Sequence, residues 1–385
     1  MTNTNDQAAQ PKLSLQDLAA TPEIFNRSAH GDYPELGPLQ ALVIGNSWVG
    51  NSGFNLMVVP NPNPMNPDGF IVMISQLFET HVFEPVPAPT PNRSLFGTAQ
   101  LGAVKYSQTV AENTSKKILH EETGMWMNQN CGILLPDGTF KPDPTNNGLG
   151  PVTDETLIND LTNHSVVRSG TIPHGNTIHA TGIWSTSDAP NPPGFFPADV
   201  TGFISLPNFQ NNGTQLNFLP VFAPGSEPSD PSYLTDLQNS YMNQIQASLV
   251  RIKRTDLMPE QFINPIGFLN TYANNMVSVT AMAVTTANAD GGGVLNVPFE
   301  SAVVAPQNFI STFIIETIRN QDFPTQNPTN DPNDDGPGQD ELPVSSQLQY
   351  LQSIPLLFPK FYKGADGVPR DVIFPHWNLN TLLAI

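Results

Sequence analysis

The chain has a single cysteine, Cys131, in 385 residues. That excludes an internal disulfide and a thiolate metal cluster, and a buried free thiol is the expected state. Charge is scarce as well. Only 13% of residues are charged, with 15 Lys and Arg against 34 Asp and Glu, for a formal net charge of −19. Nucleic acid, whose binding needs cations to meet phosphates, is excluded as a partner. Anionic membrane surfaces are excluded on the same ground. No apolar run is long enough to span a bilayer. Met1 to Gln10 is polar and lacks the apolar core of a signal peptide, so a soluble, cytoplasmic protein is expected. Nucleophile elbows, phosphate loops and dinucleotide fingerprints are absent. No two histidines have the helical spacing of a zinc site.

What the chain does have is proline, 39 residues of it, about twice the usual share. Asn, Gln, Ser and Thr fill much of the remainder, a mixture that suits strands with neutral polar faces joined by turns and long loops. The length allows two domains or one elaborate one. Residues 1–30 read as a mobile polar arm, and Pro34 to Leu42 as a turn with one helical turn. Strands are expected over Asn46–Val59, Phe70–Phe83, Ala103–Val110 and Lys117–Gln129, from alternation and from breaks at proline. A hairpin is expected at Asp137-Gly138, a short helix over Thr153–Leu161, and two strands over His164–Ser185 folded about Pro173 to Asn176. Pro197–Val221 reads as strand, turn, strand. Pro231–Ile252 is helical in pattern, with Tyr233, Leu237, Tyr241, Ile245 and Leu249 recurring every four residues.

The densest polar and aromatic run is Leu119-His120-Glu121-Glu122-Thr123-Gly124-Met125-Trp126. On a strand, His120, Glu122, Gly124 and Trp126 share one face, while Glu121, Thr123 and Met125 take the other. Together with Gly45-Asn46-Ser47-Trp48-Val49-Gly50, this run resembles the nitrobindin-like, fatty-acid-binding-protein-like heme-binding β-barrels. Those proteins carry Gly-x-Trp-x-Gly on the first strand and His-x-Glu-Thr-Gly-aromatic-Trp further on. Their barrel ends with a Pro-His-Leu-x-Ala-x-Leu type segment, whose His ligates heme iron. The counterpart in this chain is placed at Asn243 to Ile252, with Gln244 at the ligand position, and a carboxamide ligates iron poorly. The resemblance spans residues 34–254.

The resemblance implies a lipocalin-like antiparallel barrel over 31–255; residues 256–385, which it does not cover, read as a second β-rich half that carries an acidic loop at 327–341, so the expected fold is all-β. Weak echoes between the halves suggest a divergent repeat, with the second set of strands beside the first or completing it. Phe78-Glu79-Thr80 is answered by Ile315-Glu316-Thr317, and Tyr106 by Tyr350. The implied function is binding of heme, or a similar flat apolar ligand, inside the barrel. By analogy, nitric oxide or peroxide chemistry would take place at the iron, and whether the chain is an enzyme stays open. His174, held between Pro173 and Gly175, is the expected iron ligand in place of Gln244, with His120 and His376 as alternatives. Trp48, Trp126 and Thr123 are expected around the ligand. The competing readings are a heme-free carrier of a fatty acid or terpenoid, and a structural or interaction protein. Self-association is left open.

Overall fold

Alternating inward and outward side chains make most of the described residues extended, and the extended segments close on themselves. The computed structural model describes residues 34–45, 47–61, 69–87, 90–94, 97–128, 133–134, 140–141, 166–172, 176–187, 218–269, 276–286, 294–296, 305–306, 309–319, 344–363 and 366–385. Ten strands of a twelve-stranded main sheet close the barrel, the other two being 90–94 and 294–296. The ten are β1 (Ser47–Pro60), β2 (Phe70–Pro85), β3 (Gly97–Glu112), β4 (Ile118–Asn128) and β5 (Val166–Ile172). The remainder are β6 (Asn176–Ser187), β7 (Met276–Thr285), β8 (Ile310–Arg319), β9 (Val344–Ser353) and β10 (Trp377–Ala384). Each strand pairs antiparallel with the next in sequence, and β10 returns to pair with β1. The result is a closed, up-and-down, ten-stranded barrel, which leaves no continuous open edge.

Closure depends on strands from both sides of residue 255. β6 ladders with β7 from Thr181–Thr285 to Ser187–Val279, and β10 ladders with β1 from Trp48–Ala384 to Leu56–Trp377. The expected division into a barrel over 31–255 and a separate unit over 256–385 therefore gives way to one barrel completed by the second half. Strands 221–222, 369–374, 356–363 and 305–306 form a smaller second sheet in that order. The acidic loop 327–341, the short helix over 153–161 and Cys131 lie outside the described residues. The same is true of most of 197–221 and of Asp137-Gly138, although strands 133–134 and 140–141 pair on either side of the latter.

Two cores result. The inner one fills the barrel, and at one end it is closed by the 3₁₀ segment Pro34–Val43, which buries Leu36, Leu39, Leu42 and Val43. Trp48 Nε1 donates to the Leu42 carbonyl at 2.8 Å and ties this plug to β1. The outer core covers one side of the barrel wall. Helix α1 (Ser232–Arg251) lays Leu237, Tyr241, Ile245 and Leu249 against Val58, Phe70 and Val72, and α2 (Pro259–Ile263) adds Phe262. Before Leu77, β2 has no ladder partner among the described residues on its β3 side, and the helix meets the chain there. The Ile74 N–H donates to Ser248 Oγ at 2.9 Å, and Arg251 Nη2 donates to the Val72 carbonyl at 3.4 Å. These bonds occupy strand groups that would otherwise be an open edge. No helix among the described residues is long and apolar enough to cross a membrane.

The sequence echo holds for the tyrosines and breaks for the glutamates. Tyr106 on β3 and Tyr350 on β9 both reach carboxylates inside the barrel, and Glu79 is one of those carboxylates. Glu316 instead points outward, one position out of phase, and a one-residue shift on a strand exchanges the faces. It is fully buried nonetheless. Its Oε2 accepts from Gln349 Nε2 at 2.8 Å and from Gln347 Nε2, while Oε1 has no hydrogen-bond partner. Burial raises its pKa above the usual carboxylate value of 4.5, against the lowering effect of the two amides. The folded chain thus keeps a proton that the unfolded chain releases, so stability is fully present below the unfolded pKa and declines as pH rises toward the folded one. Glu316→Gln is expected to raise the urea midpoint over wild type at about pH 8, with the difference vanishing near pH 4. Equal gains at both pH values would assign the effect to packing.

Candidate functional site

Alternation carries polar groups into the barrel as readily as apolar ones, and here it brings two small networks together. On β4 the inward face is the one that bears His120, Glu122, Gly124 and Trp126. Trp126 is fully buried in the inner core, and Glu122 bonds across it. Arg168 on β5, opposite Trp126, is completely buried. Its Nη2 pairs with Glu122, its Nε donates to Tyr106 Oη at 3.2 Å, and its Nη1 donates to Ser311 Oγ at 3.0 Å. Tyr106 Oη in turn donates to Glu122 Oε1 at 2.9 Å. The guanidinium also lies 5.0–5.6 Å from the ring centres of Tyr106, Trp126, Phe309 and Phe313. Burial works against that charge, but Tyr106 and Glu122 outweigh it and hold the Arg168 pKa above its ordinary value.

The second network centres on Glu79. Tyr350 Oη donates to it at 2.6 Å, Gln108 Nε2 donates at 3.3 Å, and His81 Nε2 lies 3.0 Å away. Asn378 Nδ2 donates to Tyr350 Oη at 3.2 Å, which links this network to β10. Burial and the nearby Glu79 charge push the Tyr350 phenol well above its usual pKa. The two networks thus hold two carboxylates, one guanidinium and one imidazole, each with a partner.

The end of the barrel away from the plug is built differently. β4 starts there at Ile118, β5 ends there at Ile172, and β10 starts there at Trp377. His120 is half-buried and sits opposite Val110. His376 precedes β10 and faces inward in phase with Asn378. Its Nε2 is 3.4 Å from Asn55 Nδ2. Beyond Asn55, the inward positions of the β1–β2 hairpin are Met57 and Val59, facing Met73 and Ile71. Met73 is 39% exposed. This end therefore joins an imidazole to a partly open apolar wall.

The residues expected from sequence are scattered by this arrangement. Trp48 lies at the plug end and Trp126 in mid-barrel, both as core residues. Thr123 is on the outer wall, where with Ser169, Thr171, Thr177 and His179 it borders a depression of about 410 Å³. His174 lies outside the described residues. Gln244 is a correction: it sits on α1, outside the barrel, because the apolar period of Leu237 to Leu249 makes that segment a helix rather than a closing strand. Of the expected histidines among the described residues, His120 and His376 share the end away from the plug. Arg168, Glu79, His81, Tyr106 and Tyr350 were missed by sequence reasoning, although a signal existed. Glu79 and His81 are two apart within the apolar Phe70–Phe83 run, and Arg168 follows Val166-Val167 on a strand, so period two sets each among inward apolar positions.

No protein-family model matches the chain, and no curated protein matches it. Among solved structures it is similar to the crystal structure of Rv2717c from M. tuberculosis, with a TM-score of 0.32 and 12% sequence identity. That match covers 91% of this chain and 98% of the other. The fold assignment rests on the strand order itself: this chain is an all-β protein built on a closed ten-stranded antiparallel barrel.

Proposed function

We propose that the barrel binds heme, or a ligand of the same flat apolar kind, at the end opposite the plug, with His376 as the iron-facing residue. The observation that carries this reading is the placement of His376. Its Nε2 stands 3.4 Å from the amide nitrogen of Asn55, which can only donate, so the ring is held with its acceptor nitrogen on Asn55 and iron would take that lone pair in place of the amide N–H. A neutral imidazole nitrogen is the usual heme ligand. Met57, Val59, Ile71 and Met73 supply the apolar wall such a ligand needs. In the resembled family a Pro-His segment ends the barrel, and in this chain Pro375-His376 leads into the closing strand.

Bound heme would supply reversible binding and redox chemistry of small molecules such as nitric oxide or peroxide. The chain supplies an imidazole beside Asn55 and a partly open apolar surface. Purified protein titrated with hemin is expected to give a sharp Soret band saturating at one equivalent. His376→Ala should shift or abolish it, whereas Gln244→Ala should leave it unchanged. No saturating band, or one indifferent to His376→Ala, His120→Ala and His174→Ala, would overturn the reading.

A second reading is supported by the state of Arg168. The described interior cation is already paired with Glu122, so a fatty-acid carboxylate would have to displace a buried ion pair. A heme-free barrel of this composition suits a neutral apolar molecule, such as a terpenoid, better than a fatty acid. Displacement of an apolar fluorescent dye by a terpenoid but not by oleate, with no Soret band, would favour it.

A further inference from the structure

Tyr350 is fully buried, and its hydroxyl lies 2.6 Å from both oxygens of Glu79. Its ring stacks on Phe313, with centroids 5.5 Å apart and an interplanar angle of 21°. Phe313 meets Trp126 edge-on at 5.0 Å. On the other side, Asn378 bonds the phenol oxygen at 3.2 Å and shares the inward face of β10 with His376 two residues away, about 7 Å along the strand. A phenol thus sits between a carboxylate at hydrogen-bond distance and a short path to the open end of the barrel.

We infer that Tyr350 is a proton-coupled redox site, oxidised by one electron by an oxidant at the His376 end while Glu79 takes its phenolic proton. The oxidant is a one-electron acceptor that heme with peroxide would supply if bound at the His376 end, and that part rests on the function proposed above. In the step, the Tyr350 O–H bond breaks, its proton binds a Glu79 carboxylate oxygen, and its electron reduces the oxidant by one equivalent. A neutral tyrosyl radical remains, and the reverse transfer restores the resting state. Gln108 and His81, 3.3 and 3.0 Å from Glu79, hold the accepting carboxylate in place.

The electrostatics of the interior single out this tyrosine. Arg168 stands 5.6 Å from the Trp126 ring and 5.0 Å from the Tyr106 ring, and a nearby cation disfavours removing an electron from either. The carboxylate partner of Tyr106, Glu122, is tied to that same guanidinium, so a proton moving onto it would have to disrupt a buried ion pair. Tyr350 faces Glu79 instead. An oxidising equivalent placed in the barrel settles there, away from solvent.

The test is freeze-quench electron paramagnetic resonance in two arms. In one, the hemin-loaded protein receives hydrogen peroxide. In the other, the heme-free protein is oxidised by flash-generated ruthenium(III) tris-bipyridine. The expected result is a tyrosyl radical in both arms, lost in Tyr350→Phe and retained in Tyr106→Phe. Glu79→Gln keeps an acceptor oxygen but removes the base, so the radical should form about a hundredfold more slowly. That variant stands in if Tyr350→Phe fails to fold. A radical in the ruthenium arm alone would support the site and remove heme as its oxidant. Persistence of the signal in Tyr350→Phe, an unchanged rate in Glu79→Gln, or no tyrosyl radical in the ruthenium arm would overturn the inference.

Discussion

Arg168→Met is expected to destabilise the fold by about 3–5 kcal/mol, because it leaves a buried carboxylate without its cation. Glu122 is 3% exposed, and without Arg168 its described partner is the Tyr106 hydroxyl alone. The loss is large against the roughly 5–15 kcal/mol that holds a typical domain. Methionine keeps most of the apolar volume among Trp126, Phe309 and Phe313, so a cavity contributes little. The double variant Arg168→Met/Glu122→Gln, which removes both charges, should recover a good part of the loss. Urea unfolding of the wild type, both single variants and the pair forms the cycle that measures this. If the double variant is as unstable as the sum of the singles, the ion pair is not what holds this region.

Gly124→Ala is the second large effect, and its cause is steric. The two glycines, Gly124 on β4 and Gly170 on β5, lie directly opposite one another. A Cβ on Gly124 would come within 2.2 Å of the Ser169 carbonyl oxygen, and 2.7 Å from both Gly170 Cα and Tyr106 Cε1. The first two are backbone atoms of the β4–β5 ladder and cannot yield without breaking it. The third belongs to the ring that lies over the glycine pair and carries its hydroxyl to Glu122. Overpacking of this kind costs about 1–3 kcal/mol and sometimes more, and the backbone contact places this case at or above the top of that range. Gly170→Ala, whose Cβ would meet Tyr106 Oη at 2.5 Å, should be relieved in part by Tyr106→Phe, whereas Gly124→Ala should not. Paired denaturation curves distinguish the two. The glycine of the Thr123-Gly124 motif thus has a structural reason: it lets a tyrosine lie flat on the wall.

The elements themselves were legible in the sequence because their causes are local. Alternation marked β1 to β6, and a four-residue apolar recurrence marked α1 within one residue of its bounds. Period two divided β4 into its two faces, and the barrel decided that the one with Trp126 looks inward. The sequence motif led astray at Gln244, where a resemblance over a few residues was set against a helical period running through the same segment. The period records side-chain burial over five turns, and it decided the structure. His376, which leads into the closing strand, was in view only as an alternative to His174, which its place between Pro173 and Gly175 had put first.

Contacts between distant residues were decided only by the tertiary structure. Tyr350 and Glu79 are 271 residues apart, and Arg168 and Ser311 are 143 apart. The joining of the two halves into one barrel has the same origin. Which strand edge meets which, and in what register, depends on ladders and packing shared across the whole sheet. The amino-acid order thus set how each segment lies and which of its faces is polar. Barrel closure set which polar groups meet, because desolvation inside a common wall leaves each buried charge stable only beside the partner that closure brings to it.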